Sequence, residues 1–250
     1  IVHLAAISSP PMARSDPDLA WDVNFGGTQK LARAALAHAP EARFIFAGSS
    51  ESYGASFRAS ADALDEKATL DPVSVYAATK AAADIMIGQM ARDGLRAVRF
   101  RPFNHTGPGQ SDHFVAPAFA AQVARIEAGG QEPVLRVGTL EAVRDFSDVR
   151  DIVEAYALAV TGEWNFENGA VFNLASGKPR RIADILHALV EMSRVTVRVE
   201  QDPARMRADD TPRALGDSTR AKNALGWSPT RDFSKTLRDL LDFERARARS

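Results

Sequence analysis

The chain has 250 residues, 31 Lys+Arg against 32 Asp+Glu and 45% hydrophobic residues, a composition that excludes disordered and collagen-like classes and fits one large globular domain, alone or with a smaller appendage. A net charge of −1 excludes a chain built mainly to bind nucleic acid, which needs a concentrated basic face. With no cysteine, no signal-peptide order in residues 1–25 and no apolar run near the roughly 18 residues of a membrane span, a cytoplasmic enzyme with small diffusing partners is expected.

Residues 1–6 read as a short apolar strand that opens the chain with no lead-in loop, as if the sequence entered partway through a fold. A Ser/Pro loop over 8–18 follows, then helical spacing from Trp21 through Val23, Leu31, Ala35 and Leu36. Residues 44–47 are continuously apolar and surface at Gly48-Ser49-Ser50, as a strand buried on both faces does at its carboxyl end. A long polar loop is predicted over 51–71, an alanine-rich helix over 75–92 stopping at Gly94, and a buried strand over 95–103. Beyond Gly107 the pattern loosens. Helices are expected near 115–128, 149–160 and 182–192, strands at 134–137, 171–175 and 195–199, and two short helices at the end.

Strands alternating with helices imply parallel βαβ units, whose ligands collect at the strand carboxyl ends. The fold class expected is therefore α/β: a Rossmann-like doubly wound parallel sheet with a smaller mixed α/β lobe. The boundary falls near residue 106, with 1–106 in the sheet domain and 107–250 mainly in the lobe. The helix near 149–160 and the strand near 171–175 return to the sheet.

Tyr76 and Lys80 stand four apart on the alanine-rich helix, so both project from one face. Such a pair is either an ordinary exposed helical pair or a general acid/base, because an ammonium nearby stabilises a phenolate. Ser49, at a strand end, is either part of a turn or a hydroxyl that shares a substrate oxygen with the phenol. Glu51 lies at the mouth of the same cleft as a proton acceptor, a ligand for sugar hydroxyls or a solvated loop residue.

Four runs occur in order: Gly48-Ser49-Ser50-Glu51-Ser52-Tyr53-Gly54, Tyr76-Ala77-Ala78-Thr79-Lys80, Arg101-Pro102-Phe103-Asn104-His105-Thr106-Gly107-Pro108-Gly109-Gln110, and Val143-Arg144-Asp145-Phe146-Ser147-Asp148-Val149-Arg150-Asp151. Together they resemble the extended short-chain dehydrogenase/reductase (NAD-dependent epimerase/dehydratase) family, from residue 1 to about residue 245. Within it the sequence is most similar to the GDP-4-dehydro-6-deoxy-D-mannose reductases, which make GDP-D-rhamnose.

The resemblance implies an NAD(P)H-dependent reduction of the C4 keto group of a GDP-4-dehydro-6-deoxy-hexose. In that scheme Tyr76 protonates the C4 oxygen, Lys80 holds the nicotinamide ribose and lowers the phenol pKa, and Ser49 orients the keto oxygen. The cofactor, NAD or NADP, is expected against Leu4, Ala5 and Ala6 and beside Arg101, Pro102 and Phe103. The substrate set is Ser50, Glu51, Asn104, Arg144, Arg207 and Asp210, the arginines suiting a diphosphate because a guanidinium bridges two phosphate oxygens. Asn24 matches a structural asparagine that ties neighbouring strands.

A glutamate two residues after the catalytic Ser/Thr also marks the related GDP-mannose 4,6-dehydratases, so Glu51 keeps a dehydratase or a 4-epimerase open as an alternative. A non-catalytic GDP-sugar-binding module is a third, because the Gly-x-x-Gly-x-x-Gly turn that receives the pyrophosphate is not among these residues. The resemblance implies entry at the family's fourth strand. His3, His38, His105, His113 and His187 show no metal-ligand spacing, so no metal is expected. The helix bearing Tyr76 is apolar on more than one side, which suits a homodimer through it.

Overall fold

The computed structural model describes residues 1–206 and 211–249. Its strands are β1 (Val2–His3), β2 (Phe44–Ala47), β3 (Ala97–Pro102), β4 (Asn104–Thr106), β5 (Val134–Val137), β6 (Val143–Asp148), β7 (Val171–Leu174), β8 (Pro179–Arg181), β9 (Arg198–Gln201) and β10 (Arg213–Ala214). The helices are α1 (Pro10–Ser15), α2 (Pro17–Trp21), α3 (Thr28–His38), α4 (Ser56–Ala59), α5 (Val75–Arg92), α6 (Val115–Glu127), α7 (Val149–Thr161), α8 (Ile182–Glu191), α9 (Thr219–Leu225) and α10 (Phe233–Arg247).

The chain divides into two units, each assembled from three separated segments. Unit 1 comprises Ile1–Phe103, Ile152–Gly177 and Leu215–Ser228. Its sheet runs β1-β2-β3-β7 with every pair parallel. Side chains alternate across a strand, so β2 sends Phe44 and Phe46 to one face and Ile45 to the other. Phe44 and Phe46 pack with Ala32 and Ala35 of α3 and Ala83, Ile87 and Met90 of α5. Ile45 packs on the opposite face with Val98, Phe100, Phe172 and Leu174, under Ile152, Ala155 and Ala159 of α7 and with Trp227. Both faces are covered by helices, so the fold is α/β, a Rossmann-like parallel sheet wound on both sides.

Unit 2 comprises Asn104–Asp151, Lys178–Ala214 and Pro229–Ser250. Here β6 pairs in parallel with β4 and β10 and antiparallel with β8, while β5 and β9 form a separate parallel pair. Its core joins Phe119 and Val123 of α6, Ile185 and Leu189 of α8, and Leu237 and Leu241 of α10.

Several elements depart from their sequence-based spans. The predicted helix from Trp21 onward is interrupted by a π-helical stretch over Asp22–Gly27. Within it Asn24 accepts a hydrogen bond from the Ile7 main-chain N–H and donates to the Ile7 carbonyl and to Thr79 Oγ1. The loop predicted over 51–71 contains a 3₁₀ turn, Ser50–Tyr53, and the short helix α4. The strand expected over 195–199 lies at Arg198–Gln201 instead: Ser193 folds back on Val195 in both directions, and pairing with β5 starts only at Arg198. The last helix, α10, is 15 residues long, not short. No helix among the described residues is long and apolar enough to cross a membrane.

Candidate active site

At the carboxyl end of β2 the chain must pass close beneath β3. A Cβ on Gly48 would stand 2.6 Å from the Phe100 carbonyl oxygen, so this exit requires glycine. Ser49 follows in extended conformation and caps the 3₁₀ turn, its Oγ accepting from the Glu51 N–H at 3.2 Å. The turn buries Ser50, Ser52 and Tyr53 and leaves Glu51 exposed.

Helix α5 starts at Ser74, whose Oγ accepts from the Ala77 N–H at 3.2 Å. Its first two turns present Tyr76 and Lys80. Burial pushes the Tyr76 phenol up to about 12; the nearby Ser49 hydroxyl pulls it down and the Glu51 carboxylate adds to the rise. Ser49, Glu51 and Tyr76 are therefore electrostatic neighbours. The Lys80 ammonium is buried, lies 5.0 Å from the centre of the Phe46 ring and donates to the Ala47 carbonyl. Burial lowers its pKa to about 8, against the opposing charge of Asp84.

Burial outweighs the Ser49 hydroxyl at the phenol, and Lys80 faces the end of β2. Its ammonium retains donors beyond the Ala47 bond, and that donor set at a parallel-strand end fits the ribose hydroxyls of a nicotinamide dinucleotide.

Leu4 and Ala5 are exposed just beyond β1, and Ala6 is half-buried. Arg101, expected as part of the segment beside the cofactor, turns its side chain inward. Nε and Nη2 donate to Asp84 Oδ2 and Oδ1 at 3.0 and 2.8 Å, and Nη1 donates to the Tyr53 hydroxyl at 3.0 Å. Pro102 is half-buried, and Phe103 is buried against the rings of Tyr53 and Phe57. In unit 2, Asn104 sits on β4 opposite Phe146, and Arg144 on β6 donates to the Val143 carbonyl at 2.9 Å. Arg207 and Asp210 lie outside the described residues.

Sequence reasoning missed two groups. His3 is buried, hydrogen-bonds Thr28 Oγ1 at 2.8 Å and has its pKa lowered by burial and by Lys80. Asp84 is fully buried and receives both Arg99 and Arg101. Its signal was available: it is the one acid in the apolar helix α5, four residues after Lys80. Among the described residues no cluster of His, Cys, Asp and Glu is arranged to hold a metal.

The family model described as GDP-mannose 4,6 dehydratase matches residues 1–240. The chain belongs to this family, within the extended short-chain dehydrogenase/reductases. It is 34% identical over 250 residues to GDP-6-deoxy-D-mannose reductase of Pseudomonas aeruginosa, covering 100% of this chain and 81% of that one. It is 28% identical to GDP-mannose 4,6 dehydratase 1 of Arabidopsis thaliana, across 97% of this chain and 66% of the relative. Among solved structures, RMD from Pseudomonas aeruginosa complexed with NADPH superposes with a TM-score of 0.90 at 33% identity, covering 98% of this chain and 81% of that one. UDP-glucose 4-epimerase of Thermotoga maritima with UDP-glucose gives 0.87 at 25%, over 98% and 77%.

Proposed function

We propose that this chain reduces the C4 keto group of a GDP-4-dehydro-6-deoxy-hexose with NAD(P)H, giving a GDP-6-deoxy-hexose of the GDP-D-rhamnose type. The observation that carries the reading is the meeting of Ser49 and Tyr76 beyond β2, in a chain similar over its whole length to a GDP-6-deoxy-D-mannose reductase. Bound NAD(P)H supplies a hydride to the C4 carbon. Tyr76, held protonated well above neutral pH by burial, donates its proton to the oxygen that gains charge, and Ser49 hydrogen-bonds the same oxygen. Lys80 holds the ribose through the ammonium donors left beside the Ala47 bond. Leu4, Ala5 and Ala6 and the main chain of 101–103 line the cofactor, since the Arg101 guanidinium is committed elsewhere. Ser50, Glu51, Asn104, Arg144, Arg207 and Asp210 hold the GDP-sugar, the arginines on the diphosphate.

Incubation with the 4-keto sugar and NADPH or NADH tests this reading: net loss of the 340 nm absorbance of about one reduced cofactor per sugar supports it. The proximity of Glu51 to Tyr76 favours a second reading, GDP-mannose 4,6-dehydratase chemistry with Glu51 removing a proton from the sugar, and that reaction shows no net cofactor consumption. The reading further places the enzyme in the cytoplasm, and as a homodimer through α5, on which Ile85 is 59% exposed; light scattering of the purified protein tests the dimer.

A further inference from the structure

We propose that Arg101 is a buried tie between the two segments carrying the catalytic groups, and that Tyr53, Arg101 and Asp84 are positioning residues for Ser49 and Glu51 on one side and Tyr76 and Lys80 on the other. The inference rests on the reductase reading for the roles of those four groups, while the tie itself is a matter of geometry.

The guanidinium divides its donors between the two segments. Nε and Nη2 form a fork on Asp84, one helical turn beyond Lys80. Nη1 reaches the hydroxyl of Tyr53, two residues beyond Glu51 and at the end of the turn that Ser49 caps. The Tyr53 hydroxyl donates onward to Asn173 Oδ1 at 2.7 Å. Asn173 on β7 donates from its main-chain N–H to Glu66 at 2.7 Å and from Nδ2 to the Leu64 carbonyl at 2.9 Å. A second arginine, Arg99, donates from Nη1 to Asp84 Oδ1 at 2.8 Å, so the carboxylate is held by two strand residues against one helix.

Tyr53, Asp84 and Asn173 are fully buried and Arg101 is 5% exposed. Packing alone does not call for this arrangement, because apolar residues of matched volume stabilise such a site as well as a buried ion pair or better. Apolar contacts hold side chains by shape and carry no directionality of their own. A planar guanidinium fork on a carboxylate and a phenol fixes angle and distance together. The product of that rigidity is a constant spacing between the Ser49 turn and the Tyr76 helix, the spacing on which proton transfer to a shared oxygen depends.

The test compares the wild-type chain with Tyr53→Phe and Asp84→Asn by steady-state kinetics with the 4-keto sugar and NADPH and by amide hydrogen exchange without ligand. In Tyr53→Phe the ring stays in place and both bonds of its hydroxyl, from Arg101 and to Asn173, are lost. The expected result is a kcat lowered about tenfold or more with KM for NADPH within about twofold, and faster exchange confined to residues 49–54 and 62–67. Asp84→Asn, if it folds, is expected to lower kcat with faster exchange in 76–84 and, because the Asp84 charge supports the Lys80 ammonium, also to raise KM for NADPH. In a folded Tyr53→Phe enzyme, unchanged kcat, or equal losses in kcat and cofactor affinity, would overturn the proposal. Tyr53→Phe decides alone if Asp84→Asn does not fold. A wild-type enzyme with no reductase turnover would sink the functional reading instead, and the exchange pattern would then decide the tie: local acceleration at 49–54 supports it, and its absence refutes it.

Discussion

A Cβ on Gly54 would lie 1.9 Å from the main-chain carbonyl oxygen of Asp71. That oxygen already accepts the Ala55 N–H at 2.8 Å, and Gly54 itself sits at φ 49, ψ −116 with its N–H donating to the Glu51 carbonyl. The two ends of the 54–71 loop are thus pinched together next to the turn that carries Ser49 and Glu51. Gly54→Ala combines a disfavoured backbone with a main-chain clash and is expected to lose about 2–3 kcal/mol in urea unfolding while also raising KM for the sugar. A variant with wild-type stability and kinetics would show that the pinch is dispensable.

Removing the Tyr76 hydroxyl leaves the ring and its packing. Tyr76→Phe is expected to lower kcat by about 10²–10⁴-fold with an unchanged melting temperature. Glu51→Gln separates the two chemistries: it leaves reductase turnover within about tenfold if Glu51 only contacts substrate, and abolishes turnover if it is the base that dehydration requires. Both are read by stopped-time product analysis alongside cofactor absorbance.

Lys80 makes stability depend on pH in a way with a definite sign. The folded ammonium releases its proton near 8, while the ordinary value is 10.5. Between those values the unfolded chain holds more protons, so stability rises with pH across this window. Tyr53 and Tyr76, both pushed from 10.0 to about 12, keep protons that the unfolded chain gives up above pH 10, and stability then falls. Asp84 and His3 are the titratable neighbours acting on this ammonium or felt by it. Calorimetric melting of wild type against Lys80→Met should show the rise above pH 8 in wild type only. With Lys80 on the cofactor ribose, as proposed, the same deprotonation weakens that grip, and kcat/KM is expected to decline on the alkaline side from about 8.

Asp84→Ala strands two guanidinium groups, since the Arg99 and Arg101 side chains are only 16% and 6% exposed. Breaking a buried pair from one side costs about 3–5 kcal/mol, and denaturant titration should show a loss of that size. A loss under about 1 kcal/mol would mean that water or a rearranged partner replaces the carboxylate.

The sheet unit was largely legible from sequence because its signals are strong and local. Phe44–Ala47 is continuously apolar between polar neighbours, and Val75–Arg92 carries both a serine cap and a glycine stop; both spans fall where the pattern puts them. The strands around β6 were not legible. Asn104–Thr106 and Pro179–Arg181 are three-residue polar strands whose pairing with β6 is decided by register, not by alternation. The π-helical stretch was hidden because the apolar spacing on either side of Asn24 reads as one helix, and the bonds that hold Asn24 come from Ile7 and Thr79, distant in sequence. The placing of Ser49 at a strand end and of Tyr76 and Lys80 on one helix could be read, but the inward turn of Arg101 could not. An arginine after a strand looks the same whether its acceptor is a ligand or Asp84, and only the fold brings Asp84 beneath it.

The alternating assembly of the two units restricts how this protein can be recombined with its relatives. Unit 2 is drawn from 104–151, 178–214 and 229–250, so no single crossover transplants it whole. A chimera meant to exchange unit 2 while keeping the sheet unit requires three coordinated exchanges, and a one-point hybrid made anywhere between residues 104 and 228 builds at least one unit from two parental sequences. Functional variation within this architecture is therefore reached more readily by point substitutions in loops than by exchange of contiguous blocks.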